Sequence, residues 1–521
     1  MKKMKKIIAL ALTLVMMLSM SMTVFAAPEE VALSVPAGDS HTYEVYQIFT
    51  GDLAGKVLSD VHYGANASIP TGKKAGDTVE TSVLNTIKGI SGTDAEKAEV
   101  LKTYANLTSD PFTTVSAGSS VNVPTGYYLI KDNNVDLAVG DEHTLYILAV
   151  VGPTEITRKA GTTSSDKKVD DTNDSDTTEV DNGQLQTSSD YDIGDKVPYH
   201  VTATISDKVE QYEKYHITLE DILETGKFDD ITLDKENAIK LGSDTIADTE
   251  NYTVTTTWIT DPSKDGFKVK IEFTPKEGKT LESLAGKTIA IDFTATLGEN
   301  AAIGEEGNKN TLKVSYSNNP NESDGGSEGH TPDKEVITFT YKVVIDKFNN
   351  ENQPLEGAGF TLYKVSKADA EANVIGKDAA AKNTAWANKA ITTWTTNAID
   401  GETVGTKNRF SFNGIDDGYY VLCETTTPAG YNTLEPQVFK VTATHDANGL
   451  ELTDLSGNCV SGEITFTPNK STGALSANVI NNQGTILPET GGIGTTIFYV
   501  VGAILMIGAG VMLVTRKRIS K

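Results

Sequence analysis

Val343-Val344-Ile345-Asp346-Lys347 reads as a β-strand, and the period of two places Val343, Ile345 and Lys347 on one face. If the two apolar residues enter a core, the Lys347 ammonium enters with them. Burial then lowers its pKa unless a partner compensates, whereas an ordinary strand-end lysine snorkels to water. Two later strands repeat the pattern. Tyr420, Leu422 and Glu424 share a face, as do Ala477, Val479 and Asn481. A lysine, a carboxyl and a carboxamide on inward faces of one β-sandwich point to a polar site with a purpose.

Working outward, strand-like runs bounded by Gly, Asp and Pro fill most of the chain. Tyr43–Phe49 and Gly126–Ile130 lie near its beginning, and Val197–Ile205, Tyr252–Trp258, Phe267–Phe273 and Leu312–Tyr316 in its middle. A capping box at Thr93 and Glu96 opens a helix predicted to reach about Asn106, and an Ala-rich insertion, Lys367 to Ala390, reads as helical. The expected fold is all-β: three tandem immunoglobulin-like β-sandwich domains, with a short helix in the first, a helical insertion in the last and a C-terminal transmembrane helix. The expected boundaries are 28–158, 159–320 and 336–482, with a polar linker at 321–335.

Composition narrows the function. The chain has 521 residues and a formal net charge of −26. Nucleic-acid binding is not expected of so acidic a chain, because neutralising phosphates needs a basic face. Two cysteines, Cys423 and Cys459, exclude a disulfide-built scaffold, and they leave one disulfide or two free thiols open. Seven scattered histidines show no pair at ligand spacing, so neither a metal site nor a cofactor is expected. Asp171, Asn173 and Ser175 have EF-hand-like spacing. Asp176 stands where that loop needs glycine and Asn182 where it needs glutamate, so Lys167–Asp190 reads as a solvated loop. Gly325-Gly326-Ser327-Glu328-Gly329 fits a hydrolase nucleophile pattern but lacks the flanking strand and helix, and no enzyme activity is expected.

Both ends read as targeting signals. Residues 1–26 have a lysine-rich start, an apolar stretch and Val24-Phe25-Ala26 before the cleavage point of a secretory signal peptide. At 487–521, Leu487-Pro488-Glu489-Thr490-Gly491 precedes a charge-free stretch, 493–514, and a basic tail, Arg516, Lys517, Arg518 and Lys521. The stretch is long enough to cross ~30 Å of hydrocarbon, and the tail sets it with its C-terminus inside. This order resembles the LPxTG cell-wall sorting signal of Gram-positive surface proteins. The resemblance implies cleavage by a sortase between Thr490 and Gly491, with the threonyl group passed to an amine.

Lys347 within VVIDKFN, then PLEGAGFTLYKV, YYVLCETTTPAGYN and Asn481 resemble a collagen-adhesin B-type domain. That resemblance implies an internal isopeptide bond, with Lys347 as nucleophile, Asn481 as acceptor (Asn482 the runner-up) and Glu424 as the catalytic acid that polarises the amide. DYDIGDKVPYHV and YSNNP resemble the second domain of backbone (major) pilins of sortase-assembled covalent pili. The implied second bond joins Lys167 to Asn318 with Asp221 as the acid. Lys168, Asn319 and Glu220 stay open as alternatives, since a one-residue register slip inverts the faces. The first domain offers no comparable triad. Lys159, before DKKV, occupies the place of the pilin-motif lysine, although Arg158 replaces the usual proline. The partners implied are pilus-specific and housekeeping sortases, identical pilin subunits, accessory pilins and peptidoglycan. A minor pilin or a monomeric wall-anchored adhesin is the alternative.

Overall fold

The computed structural model describes residues 29–54, 57–92, 94–134, 137–149, 152–158, 160–178, 183–324, 326–372, 378–396, 408–484 and 493–519. The expected leader at 1–26, the expected cap Thr93, Lys159, Asn182, Gly325 and the motif Leu487–Gly491 lie outside them.

The architecture is all-β in successive sandwich units. In the first, Thr42–Ala54 is central, pairing with Val57–Tyr63, Thr113–Ser116 and Gly126–Asp132, while Glu30–Ser34 lies between Ser120–Pro124 and Thr154–Glu155 in a small second sheet. Two helices, Thr81–Lys88 and Asp94–Lys102, stand where one was expected. Thr81–Lys88 is rich in β-branched residues, which disfavour helix locally. It forms because Leu84 and Ile87, three apart, bury against the core beside Phe49 and Tyr63.

The middle unit sandwiches two seven-stranded sheets around one large core, Val169 to Val336. One sheet carries Ser164–Asp171 beside Lys196–Thr204; the other carries Asn308–Ser317 between Tyr215–Leu223 and Lys334–Phe339.

The last unit pairs Tyr341–Asn349 in parallel with Ala474–Asn481, bringing its first and last strands together, and faces them with a five-stranded sheet that contains Gly359–Val365 and Gly418–Thr426. The insertion contains helices Lys367–Ala370 and Ala379–Ala387, capped by the side chains of Ser366 and Asp378. A helix at Ile493–Ile519 includes the one span among the described residues long and apolar enough to cross a membrane.

Two expectations fail at the junctions. The 321–335 stretch is not a free linker, and the middle unit does not stop at 320. Glu328–His330 and Lys334–Phe339 are strands of the middle sheet, and Asn321 bonds the first unit at Tyr146 N–H and Thr144 C=O. Strand alternation explains how one segment serves two cores: Val336 faces the middle core, while Ile337 and Phe339 face the last. Likewise 172–178 is only partly solvated. Asn173, Ser175 and Asp176 are buried, and Ser175 Oγ accepts from Tyr419 N–H at 3.0 Å. Gly418 permits that approach, since a Cβ there would lie 2.3 Å from Ser175 Oγ.

Candidate functional site: buried lysines facing carboxyl groups

The face of Lys347 is as expected. Val343, Ile345 and Lys347 are each 0% exposed, as is Leu422, with Glu424 and Asn481 at 1%. Asn482, by contrast, is exposed. Parallel pairing sets Lys347 opposite Val479 and Asn349 opposite Asn481, and Glu424 comes from the facing sheet opposite Phe360. Lys347 Nζ lies 2.5 Å from Asn481 Oδ1 and 3.7 Å from Glu424 Oε1. Asn481 Nδ2 donates to both Glu424 oxygens, at 2.8 and 2.9 Å, and Leu434 N–H donates to Oε2 at 2.7 Å. Burial pulls Lys347 down to about 8 against the opposing pull of Glu424, so a useful fraction is neutral amine at physiological pH. The amine therefore stands against the Asn481 carboxamide oxygen, with the Glu424 carboxyl group beside the carboxamide nitrogen.

The middle unit builds a second such site with a different third member. Lys167 and Asp221 are buried and bonded to each other, with the Tyr199 and Phe293 rings 5.3 and 5.4 Å from Nζ. Burial lowers Lys167 and raises Asp221, so both move toward their neutral forms. Lys168 is half-buried and Glu220 pairs at the surface with Lys268, which fixes the register in favour of Lys167 and Asp221.

Asn318 is not in this site. Its carboxamide faces Ser327 and its carbonyl accepts from His143 N–H, at the junction with the first unit, and Asn319 bonds Glu322. The carboxamide beside Asp221 belongs to Asn310, which is 0% exposed. Among the described residues the Asn310 carboxamide and Asp221 Oδ1 have no polar partner outside this site. Asn310 sits diagonally across from Asp221, since Leu312 pairs with Asp221 and Asn310 with Leu223. The signal was present in the sequence, because the face of Leu312, Val314, Tyr316 and Asn318 runs back through Asn310. Only the strand pairing says which end meets the lysine.

A third buried lysine behaves oppositely. Lys364 Nζ lies 2.7 Å from Asp416 and 3.0 Å from Asp192, and also pairs with Asp174. Burial opposes its charge, but the three carboxylates prevail and hold its pKa well above the ordinary value. Lys364 stays an ammonium and ties the middle unit to the last. One carboxyl group beside a buried lysine leaves its pKa lowered, whereas three raise it.

Lys159 lies outside the described residues, but its flanks are anchored. Arg158 pairs with Asp141 and donates to Glu142 C=O at 3.2 Å. The Glu142 carboxyl accepts from Ser206, Tyr212 and Thr163, and burial, outweighing those hydrogen bonds, pushes it up to about 7. The folded chain thus keeps a proton that the unfolded chain releases above about 4.5, so stability falls as pH rises from about 4.5 to 7. Calorimetry over that window should show Glu142→Gln flattening the dependence. An unchanged slope would contradict the assignment.

Both cysteines are free thiols. Cys423 points away from Glu424 into a small cluster with Val365 and Trp386, and burial raises it to about 12.

Residues 341–455 match the SpaA prealbumin-like fold domain, and 481–521 match the LPXTG cell wall anchor motif. The chain is 25% identical over 300 residues to the trypsin-resistant surface T6 protein of Streptococcus pyogenes, covering 46% of this chain and 50% of that protein. It is 26% identical over 315 residues to the fimbrial subunit type 1 of Actinomyces viscosus, covering 53% and 51%. The chain thus spans about half the length of the curated relatives it matches. The T6 backbone pilin structure superposes with a TM-score of 0.53 at 17% identity, over 89% of this chain and 100% of that one. The chain therefore carries a SpaA prealbumin-like domain and an LPXTG cell wall anchor motif, on the fold seen in the T6 backbone pilin of Streptococcus pyogenes.

Proposed function

We propose that this protein is the structural shaft subunit of a covalent pilus. A sortase cleaves after Thr490, passes the threonyl group to Lys159 of the next subunit, and the finished polymer is transferred to peptidoglycan. Leu487, Pro488, Glu489, Thr490 and Gly491 form the recognition motif. A pilus-specific sortase performs the polymerisation, a housekeeping sortase the wall transfer, and accessory pilins join the same polymer.

The observation that carries this reading is the group of Lys347, Glu424 and Asn481, enclosed in a core with the amine against the Asn481 carboxamide oxygen. A neutral Lys347 amine attacks the Asn481 Cγ, the C–Nδ2 bond breaks, ammonia leaves and a Nζ–Cγ amide remains. Glu424, beside the carboxamide, would serve as the acid that polarises it and escorts the proton to the leaving nitrogen. Lys167, Asp221 and Asn310 would form the second bond in the same way. Each event is single-turnover and intramolecular, so the chain is a structural protein and not an enzyme. The fimbrial and T6 relatives support the assignment.

Lys159→Ala tests polymerisation. We expect the high-mass ladder on denaturing gels of wall extracts to disappear while monomer persists. A ladder that survives would remove Lys159 and favour a different linkage, and a wild type without a ladder would favour a monomeric adhesin.

A further inference from the structure

The middle and last units meet across an acidic seam. Its lysines, Lys364 and Lys367, pair with Asp174, Asp192 and Asp416, and with Asp176. A separate group stands beside them: Asp171 and Asp190 from the middle unit and His445 from the end of Gln437–His445 in the last. One donor atom from each lies within 4.8 Å of the others, and His445 Nε2 is 3.1 Å from Asp171 Oδ2.

Hydrogen bonding around His445 decides which ring nitrogen faces the carboxylates in which state. Ser188 Oγ–H donates to Asp446 C=O at 2.6 Å, so its oxygen accepts from His445 Nδ1–H at 2.8 Å. Nε2 is thereby the nitrogen that faces the Asp171 carboxylate, at 3.1 Å. Asp190 N–H donates to Asp171 Oδ1 at 3.2 Å and orients that carboxylate. Tyr341 lines the same place: it is 0% exposed and its hydroxyl faces the Asp190 carboxyl, with no other polar partner among the described residues.

We propose that Asp171, Asp190 and His445 bind one zinc-type divalent ion that bridges the middle and last units. One imidazole nitrogen and two carboxylate oxygens suit zinc, with a fourth position for water near Tyr341, whereas calcium and magnesium prefer all-oxygen sets. Tetrahedral zinc donors stand roughly 3.3 Å apart, so small side-chain movements close the group on an ion. Ser188 acts as the outer partner that holds the ring in its metal-binding tautomer. The sequence conceals this site because a single histidine meets carboxylates more than two hundred residues away.

The test is calorimetric titration of the chelator-stripped full chain, in detergent, with Zn²⁺ alone. We expect saturation at one ion per chain and a raised Tm. Binding should weaken at least tenfold in Asp190→Asn and in His445→Gln, and be unchanged in Asp261→Asn, at an exposed position. Asp190→Asn is isosteric, and circular dichroism separates a lost ligand from a lost fold; if it misfolds, His445→Gln carries the test. Absence of saturable binding in the wild type, or equal binding in the folded variants, would overturn the proposal.

Discussion

Lys347→Ala should lower the Tm of the last unit by roughly 10–20 °C, because an amide between Lys347 and Asn481 closes a loop 134 residues apart in sequence. Loop-closure entropy assigns such a cross-link about 5 kcal/mol, and about 2–4 °C accompanies each kcal/mol in a unit of this size. The substitution leaves Asn481 and Glu424 bonded to each other and Glu424 still accepting from Leu434, so few buried polar groups are orphaned. Most of the loss would therefore report the covalent bond itself. Glu424→Ala should have a comparable effect without touching either joined residue, since the unassisted amide is a poor electrophile. Scanning calorimetry of both variants checks the pair. A fall of only a few degrees in Lys347→Ala would indicate an ordinary buried lysine.

The second large effect separates two asparagines eight residues apart. Asn310→Ala should abolish the middle bond, raising the intact mass by one ammonia relative to the doubly bonded chain after allowance for the side-chain change. It should also cost the middle unit about 5 kcal/mol by the same entropy argument. Asn318→Ala should leave the mass deficit intact, because that carboxamide faces Ser327 and not Lys167. The reverse result would restore Asn318 as acceptor and leave the buried Asn310 without a role.

The sequence carried the strand phases with fidelity. Lys347, Glu424 and Asn481 each fall on the inward face because their neighbours two residues away are apolar, and Asp221 and Lys167 lie inward too, where the sequence left Glu220 and Lys168 open. What alternation does not carry is pairing. Asn310 and Asn318 share one face of one strand, so choosing between them requires knowing which end approaches Ser164–Asp171. The same limit applies to 172–178 and 321–335, whose polar composition suits solvent equally well as a junction. There Asn173, Asn321 and the aspartates are satisfied by partners distant in sequence. Lys364 was missed because its strand, Gly359–Val365, is buried along its whole length, leaving no polar face to set it apart.

These sites give the subunit two kinds of link between distant parts of its chain. Within units the proposed amides are covalent; between units the ties are ionic or hydrogen-bonded, through Lys364, Asn321 and Glu142. Under load, the covalent sandwiches should hold while the junctions yield first.

The most direct measurement of the whole account is peptide mapping by mass spectrometry of the high-mass polymer released from the wall. The predicted result is three linkages, each with loss of the expected leaving group: Lys347 to Asn481, Lys167 to Asn310, and Thr490 of one subunit to Lys159 of the next. Recovery of unmodified Lys347 and Asn481 peptides from folded protein, or of Thr490 joined to a different lysine, would contradict it.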